Sequence, residues 1–258
     1  MIWVKTILKT FVLCVVIIGA LFISYRIYDK KNSDSDKTAV LDISPSDPVV
    51  QLVMGKIYSS NIFRGAGFSV ENFTNDDIIH YGMDNLTKDN YSIKTIAHKK
   101  SLCEVTGKIL FTSTSNCNIK IINNDYFTKL IKNDFNIDVE VKFDTFTYKG
   151  HYCKNDGKRY YCLLSKYTET KKNLSFIHEA YEEGDTLVVK EYYLNVDLNN
   201  KDLCNLYLNP EYCEKKNVNE PIVVPDEIII NNGVLYQHVF KKIDDKYYYL
   251  QSFILSER

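Results

Sequence analysis

Cysteine carries most of the chemistry this sequence offers. Six cysteines lie beyond the N-terminal segment: Cys103, Cys117, Cys153, Cys162, Cys204 and Cys213. Such a set can hold zinc, cycle electrons or close disulfides. Zinc prefers cysteines two to four residues apart, and a redox pair needs Cys-x-x-Cys; neither spacing occurs. An even number is what a disulfide framework requires. Spacing points to three local pairs in chain order: Cys103 with Cys117, Cys153 with Cys162, and Cys204 with Cys213.

One pair has a geometric argument. In "HYCKNDGKRYYC", His151 to Cys162, residues opposed across a hairpin share a constant sum of numbers. A two-residue loop at Gly157-Lys158 sets Asp156 opposite Arg159 and Cys153 opposite Cys162. It also places glycine where a type II′ turn needs it. A four-residue loop from Asp156 to Arg159 gives the same pairing. A loop at Asp156-Gly157 would bring His151 opposite Cys162 and separate the pair. Directly opposed residues that are not hydrogen-bonded have Cα atoms about 4.5 Å apart, within disulfide reach. The seventh cysteine, Cys14, lies in an apolar run and has no evident partner.

The remaining reactive residues form no recognisable constellation. The histidines are His80, His98, His151, His178 and His238. His178 and His238 fall in expected strands, where a lone histidine is ordinarily packed or at the surface. Asp76 and Asp77 resemble a helix start more than an acid–base pair. Glu182-Glu183 and Asp244-Asp245 sit at turns as solvated charges. Gly65-Ala66-Gly67 follows no strand and is no phosphate loop. No zinc-protease, hydrolase-elbow, Walker or dinucleotide motif is present. No catalytic, cofactor-binding or metal-ligating residue is assigned, and no cofactor is expected. The clusters Tyr160-Tyr161, Tyr192-Tyr193 and Tyr247-Tyr248-Tyr249 either pack in a core or line a face for glycan or peptide. Asn-x-Ser/Thr sequons begin at Asn72, Asn85, Asn90 and Asn173, and matter only in a eukaryotic secretory pathway.

The elements that must position these residues change character along the chain. "ILKTFVLCVVIIGALFISY", Ile7 to Tyr25, would span roughly 28 Å as a helix, close to a bilayer core. Lys9 lies near one end and can snorkel. The uninterrupted apolar part, Phe11 to Ile23, also allows a cleaved signal peptide, but no Ala-x-Ala site follows. The expectation is an anchor over residues 1–28, a polar stalk over 29–47 and an extracytoplasmic domain over 48–258. Lysines and arginines alone mildly oppose a cytoplasmic N-terminus, with Lys5 and Lys9 before the segment and Arg26, Lys30, Lys31 and Lys37 after it. The disulfide reading decides the other way.

Within the domain, residues 48–137 read as helical or irregular and 138–258 as sheet. Asp47-Pro48 starts a helix running to about Ile62, with Val49, Leu52, Val53 and Ile57 as its apolar face. Thr74 caps a second, and Asn124 or Asp125 opens a third that buries Phe127, Leu130, Ile131 and Phe135. Irregular strands are expected over 91–122. From Val139 the period becomes two, and six strands form one curved antiparallel meander. Asn199 to Gly233, with Pro210, Pro221 and Pro225, reads as an exposed recognition loop dispensable for folding.

Three features together resemble uncharacterised membrane-anchored proteins of low-GC Gram-positive bacteria: the anchor, the "FTNDDIIHYGMDNL" helix, and the hairpins at Tyr152-Cys153…Tyr161-Cys162 and "VFKKIDDKYYYLQSF". That group lends no residue a role. Helices before a curved sheet also resemble cystatin-like and NTF2-like architectures.

Of the 258 residues, 45% are hydrophobic and 25% charged, which is globular composition, and the net charge of −1 gives no field for nucleic acid. The expected class is a membrane-anchored, disulfide-stapled α+β protein that binds or scaffolds at the envelope. Its partner would be a glycan, peptide or protein. The alternative is an envelope hydrolase with a motif-less site.

Overall fold

Helix α1, Pro48–Ser59, begins as its first two residues dictate. The Asp47 carboxylate accepts from the Val49 N–H at 2.8 Å, and Pro48 occupies the first turn, where no donor is needed. Its buried stripe is Val50, Val53, Met54 and Ile57, while Leu52 is 69% exposed. The face is therefore rotated from the expected one, because spacing alone leaves two overlapping stripes in this apolar helix. Helix α2, Asn75–Asp84, carries a capping box in which Thr74 and Asp77 each satisfy the other's backbone N–H. Helix α3, Asp125–Phe135, buries Phe127, Ile131 and Phe135 and ends at Asn136 in the left-handed conformation. A Cβ at Gly82 of α2 would collide with the Phe127 ring, so glycine permits the close approach of α2 and α3.

The computed structural model describes residues 40–64, 67–164, 167–208, 210–215 and 223–256. The expected anchor at 1–28 lies outside them. Residues 41–258 form one unit, which is α+β with antiparallel strand pairs.

Strands β1 (Val40–Ile43) and β2 (Phe68–Ser69) edge a six-stranded sheet. Between them lie β10 (Lys171–Glu183), β11 (Thr186–Asp197), β12 (Val234–Ile243) and β13 (Lys246–Ser256), in the order β1-β10-β11-β12-β13-β2. The end of the expected stalk is thus a strand. The β12–β13 turn sets Ile243 opposite Lys246 and puts both Asp244 and Asp245 at positive φ, as a type I′ turn requires.

A second sheet of five strands runs β3-β6-β9-β8-β7. Its strands are β3 (Tyr91–Ile96), β6 (Cys117–Asn123), β7 (Phe146–Tyr148), β8 (His151–Asn155) and β9 (Arg159–Leu164). A separate hairpin pairs β4 (Leu102–Thr106) with β5 (Ile109–Thr112). The single meander expected from Val139 is therefore two sheets, and residues 139–145 form no strand. The reason lies in β9. Tyr160 and Cys162 on one face and Tyr161 on the other are all buried, so this strand must be central, and β6 supplies its second neighbour.

Three apolar cores result among the described residues. The main one joins α1, α2 and α3 to both sheets through Ile57, Phe63, Tyr81, Phe127, Tyr160 and Phe240. A second lies where Ile119 and Tyr161 of the five-stranded sheet meet Ile109, Phe111 and the Cys103–Cys117 pair. The third corrects the reading of Asn199–Gly233. Helices α4 (Lys201–Tyr207), α5 (Pro210–Lys215) and α6 (Asp226–Asn232) bury Cys204, Cys213 and Ile229 against Leu174, Tyr192, Leu194 and Val196. That segment covers a sheet face that would otherwise be apolar and wet, so it is a core layer and not a free loop.

Candidate functional site

All three local cysteine pairs are disulfides: Cys103–Cys117, Cys153–Cys162 and Cys204–Cys213. Cys153 faces Cys162 in the β8–β9 register with Cα atoms 4.0 Å apart, and Asp156 N–H donates to Arg159 O at 3.2 Å. Gly157 has φ +96°, which suits the first position of a type II′ loop. The Asn155 and Asp156 side chains accept from the loop N–H groups of Gly157, Lys158 and Arg159. Burial pushes the Asp156 carboxyl up, but the bonds from the Lys158 N–H, the Tyr161 hydroxyl and the Arg159 N–H outweigh it and hold the group below its usual range. Each ring stabilises the fold by about 2–3 kcal/mol in the loop-entropy picture.

The most unusual assembly is a buried trio built around the Arg64–Glu191 ion pair. Glu191 on β11 and His238 on β12 are fully buried, and the Arg64 side chain is 2% exposed. Arg64 Nη2 donates to Glu191 Oε1 at 3.0 Å and His238 Nε2 donates to Oε2 at 3.0 Å. Arg64 Nη1 donates to Ile57 O, and the guanidinium lies 4.3 Å from the Tyr193 ring centre. Burial pushes the Glu191 carboxyl up, but the His238 hydrogen bond and the Arg64 charge outweigh it and leave it below the ordinary carboxylate range. His238 Nδ1 is buried without a partner among the described residues. Directly across from His238 on β13 is Ser252, whose Oγ donates to Phe63 O at 2.8 Å. A carboxylate, an imidazole and a hydroxyl thus converge, but the hydroxyl proton is committed to a carbonyl and all three groups are sealed from solvent.

Two further carboxylates, both partly buried, are satisfied by tyrosine and lysine. Asp84 accepts from Ser60, Tyr148 and Lys149. Asp134 accepts from Tyr81 at 3.0 Å and Lys56 at 2.7 Å. Burial and then the neighbouring carboxylate push both tyrosine hydroxyls far up. They tie α1, α2, α3 and β7 together and offer no open position for a substrate.

An open groove of about 800 Å³ runs between α3 and the five-stranded sheet. Its sheet side carries Asn90, Tyr91, Asn123 and Arg159, and its helix side carries Asp125, Tyr126, Lys129 and Asn133. Asn123 ends β6 and α3 opens at Asp125, so one tight junction places both walls. The Tyr126 hydroxyl donates to Gly82 O at 2.9 Å, and Lys120 Nζ sits 4.4 Å over the Tyr91 ring. Neither tyrosine ring is therefore free to swing.

The histidines do not assemble. His80 stacks on Tyr148, His178 meets the edge of Tyr192, and His98 is exposed. His151 accepts from Lys120 at Nε2 and donates from Nδ1 to Lys149 O. Burial and then the Lys120 charge lower its pKa. Asp76 and Asp77 serve the start of α2, and Glu182 accepts from Tyr247. Among the described residues no three His, Cys, Asp or Glu side chains gather as a metal site. Gly65 and Ala66 of the glycine pair lie outside the described residues. The tyrosine clusters are largely core: Tyr160, Tyr161, Tyr192, Tyr193 and Tyr249 are buried, so they form no exposed aromatic face. Sequence reasoning missed the trio and the groove. Glu191 did leave a signal, alternating along β11 with Leu187, Val189 and Tyr193 in one buried row. Comparison with known protein families, with curated proteins and with solved structures finds no match for this chain.

Proposed function

We propose that this chain is a single-pass membrane-anchored protein whose disulfide-bonded domain lies outside the cytoplasm and binds a ligand at the cell envelope. The observation that carries the reading is the closure of all six cysteines beyond the N-terminal segment into three disulfides. Such a set persists in an oxidising compartment. The apolar run Ile7 to Tyr25 would supply the anchor. Among the described residues no helix is long and apolar enough to cross a membrane. The open groove beside α3 supplies a surface for a ligand.

A second reading, an envelope hydrolase, has one observation in its favour: Glu191, His238 and Ser252 converge on one sheet face. It would need Ser252 to leave Phe63 O and the site to open.

Protease added to intact cells tests the main reading. Removal of the domain without lysis is expected, and survival of the domain until the cells are broken would overturn it.

A further inference from the structure

We infer that the groove between α3 and the five-stranded sheet is a binding site for an uncharged saccharide; this rests on the envelope-binding reading above. Three properties of the lining point to that chemistry. First, charge cancels: Asp89 and Asp125 stand with Lys129 and Arg159, and Lys129 is already paired to Asp125 at 2.6 Å. A groove without a net field selects neither phosphate nor a polybasic partner.

Second, the hydrogen-bonding groups are short and planar. The exposed side chains of Asp89, Asn123 and Asn133 make no hydrogen bond or ion pair among the described residues. Amides and carboxylates of this kind both donate and accept, or accept twice, which is what vicinal hydroxyls ask for. An apolar ligand would leave them unpaired.

Third, Tyr91 on the sheet side and Tyr126 on the helix side are both half-buried and held in place, one under Lys120 and the other by its bond to Gly82 O. A pyranose presents C–H groups on one face and hydroxyls at its rim, and a fixed tyrosine matches that pattern. All these side chains stand on or beside helix and strand ends, so little ordering is left to be done on binding. The groove volume of about 800 Å³ accommodates several sugar rings.

The test uses the full oxidised chain in detergent, with the β-1,4 tetramer of N-acetylglucosamine as probe and its de-N-acetylated, cationic form as control. Saturation-transfer NMR is expected to show transfer to the neutral tetramer. Asn123→Ala and Asp89→Ala should each weaken binding about tenfold, the loss of one good hydrogen bond, with unchanged melting. Equal binding in both variants, or equal binding of the cationic tetramer, overturns the assignment. Sedimentation with isolated envelopes separates it from the reading beneath it. A chain that sediments but ignores the tetramer retains envelope binding and loses the saccharide site. A chain that does neither loses both.

Discussion

Replacing Glu191 by glutamine should destabilise the domain more than almost any other isosteric change. The substitution keeps the shape of the side chain and removes its charge. Arg64 then remains 2% exposed with no carboxylate among the described residues, and the fully buried His238 loses its ionic acceptor. Breaking a buried ion pair from one side costs about 3–5 kcal/mol, because the remaining charge cannot return to water. For a domain of this size that is a fall in Tm of about 6–20 °C. The assay is urea unfolding of the oxidised protein followed by circular dichroism, with the single variants Arg64→Leu and Glu191→Leu and their double variant Arg64→Leu/Glu191→Leu alongside. The double variant should recover much of the loss, since a buried ion pair exchanged for apolar side chains is often neutral or better by about 1–4 kcal/mol. A Glu191→Gln loss below about 0.5 kcal/mol would refute the reasoning. So would strict additivity of the two single changes, because contacting residues must couple.

Replacing residues 201–231 by a short linker should abolish soluble folded protein, because it bares Leu174, Tyr192, Leu194 and Val196; a cooperative melt after replacement would show that this face needs no cover. The single change Ile229→Ala should cost about 2–4 kcal/mol in the same urea assay. Stability should also fall as pH is lowered. His151 titrates in the fold below its ordinary 6.5, through burial and then the Lys120 charge. The unfolded chain therefore takes the proton first, and stability present above about pH 6.5 is lost below it. His151→Gln should flatten the urea-midpoint profile between about pH 5 and pH 7, and parallel profiles for variant and parent would contradict the assignment.

Strands β9 to β13 were legible because runs rich in β-branched and aromatic residues, bounded by turn signals, are a local property. So were the caps at Asp47 and Thr74, where one side chain satisfies a neighbouring N–H. The Cys153–Cys162 register was legible for the same reason, being set by Gly157 within the hairpin. What could not be read is non-local. Nothing near Tyr160 or Cys162 says that Ile119–Asn123 will be the next strand, so the sheet was not seen to divide. The proline-rich composition of Asn199–Gly233 hid three short helices whose apolar residues face β10 and β11. Arg64 and Glu191 lie 127 residues apart, and only packing brings them together. The groove walls also come from separate elements, so single-residue types could not announce it.

The oxidation state of the cysteines in living cells tests the central claim most directly. Cells are quenched with alkylating agent, and non-reduced peptides are mapped by mass spectrometry. The account predicts peptides joining Cys103 to Cys117, Cys153 to Cys162 and Cys204 to Cys213, with Cys14 alkylated as a free thiol. Six alkylated cysteines in the domain would place it in a reducing compartment and contradict the account.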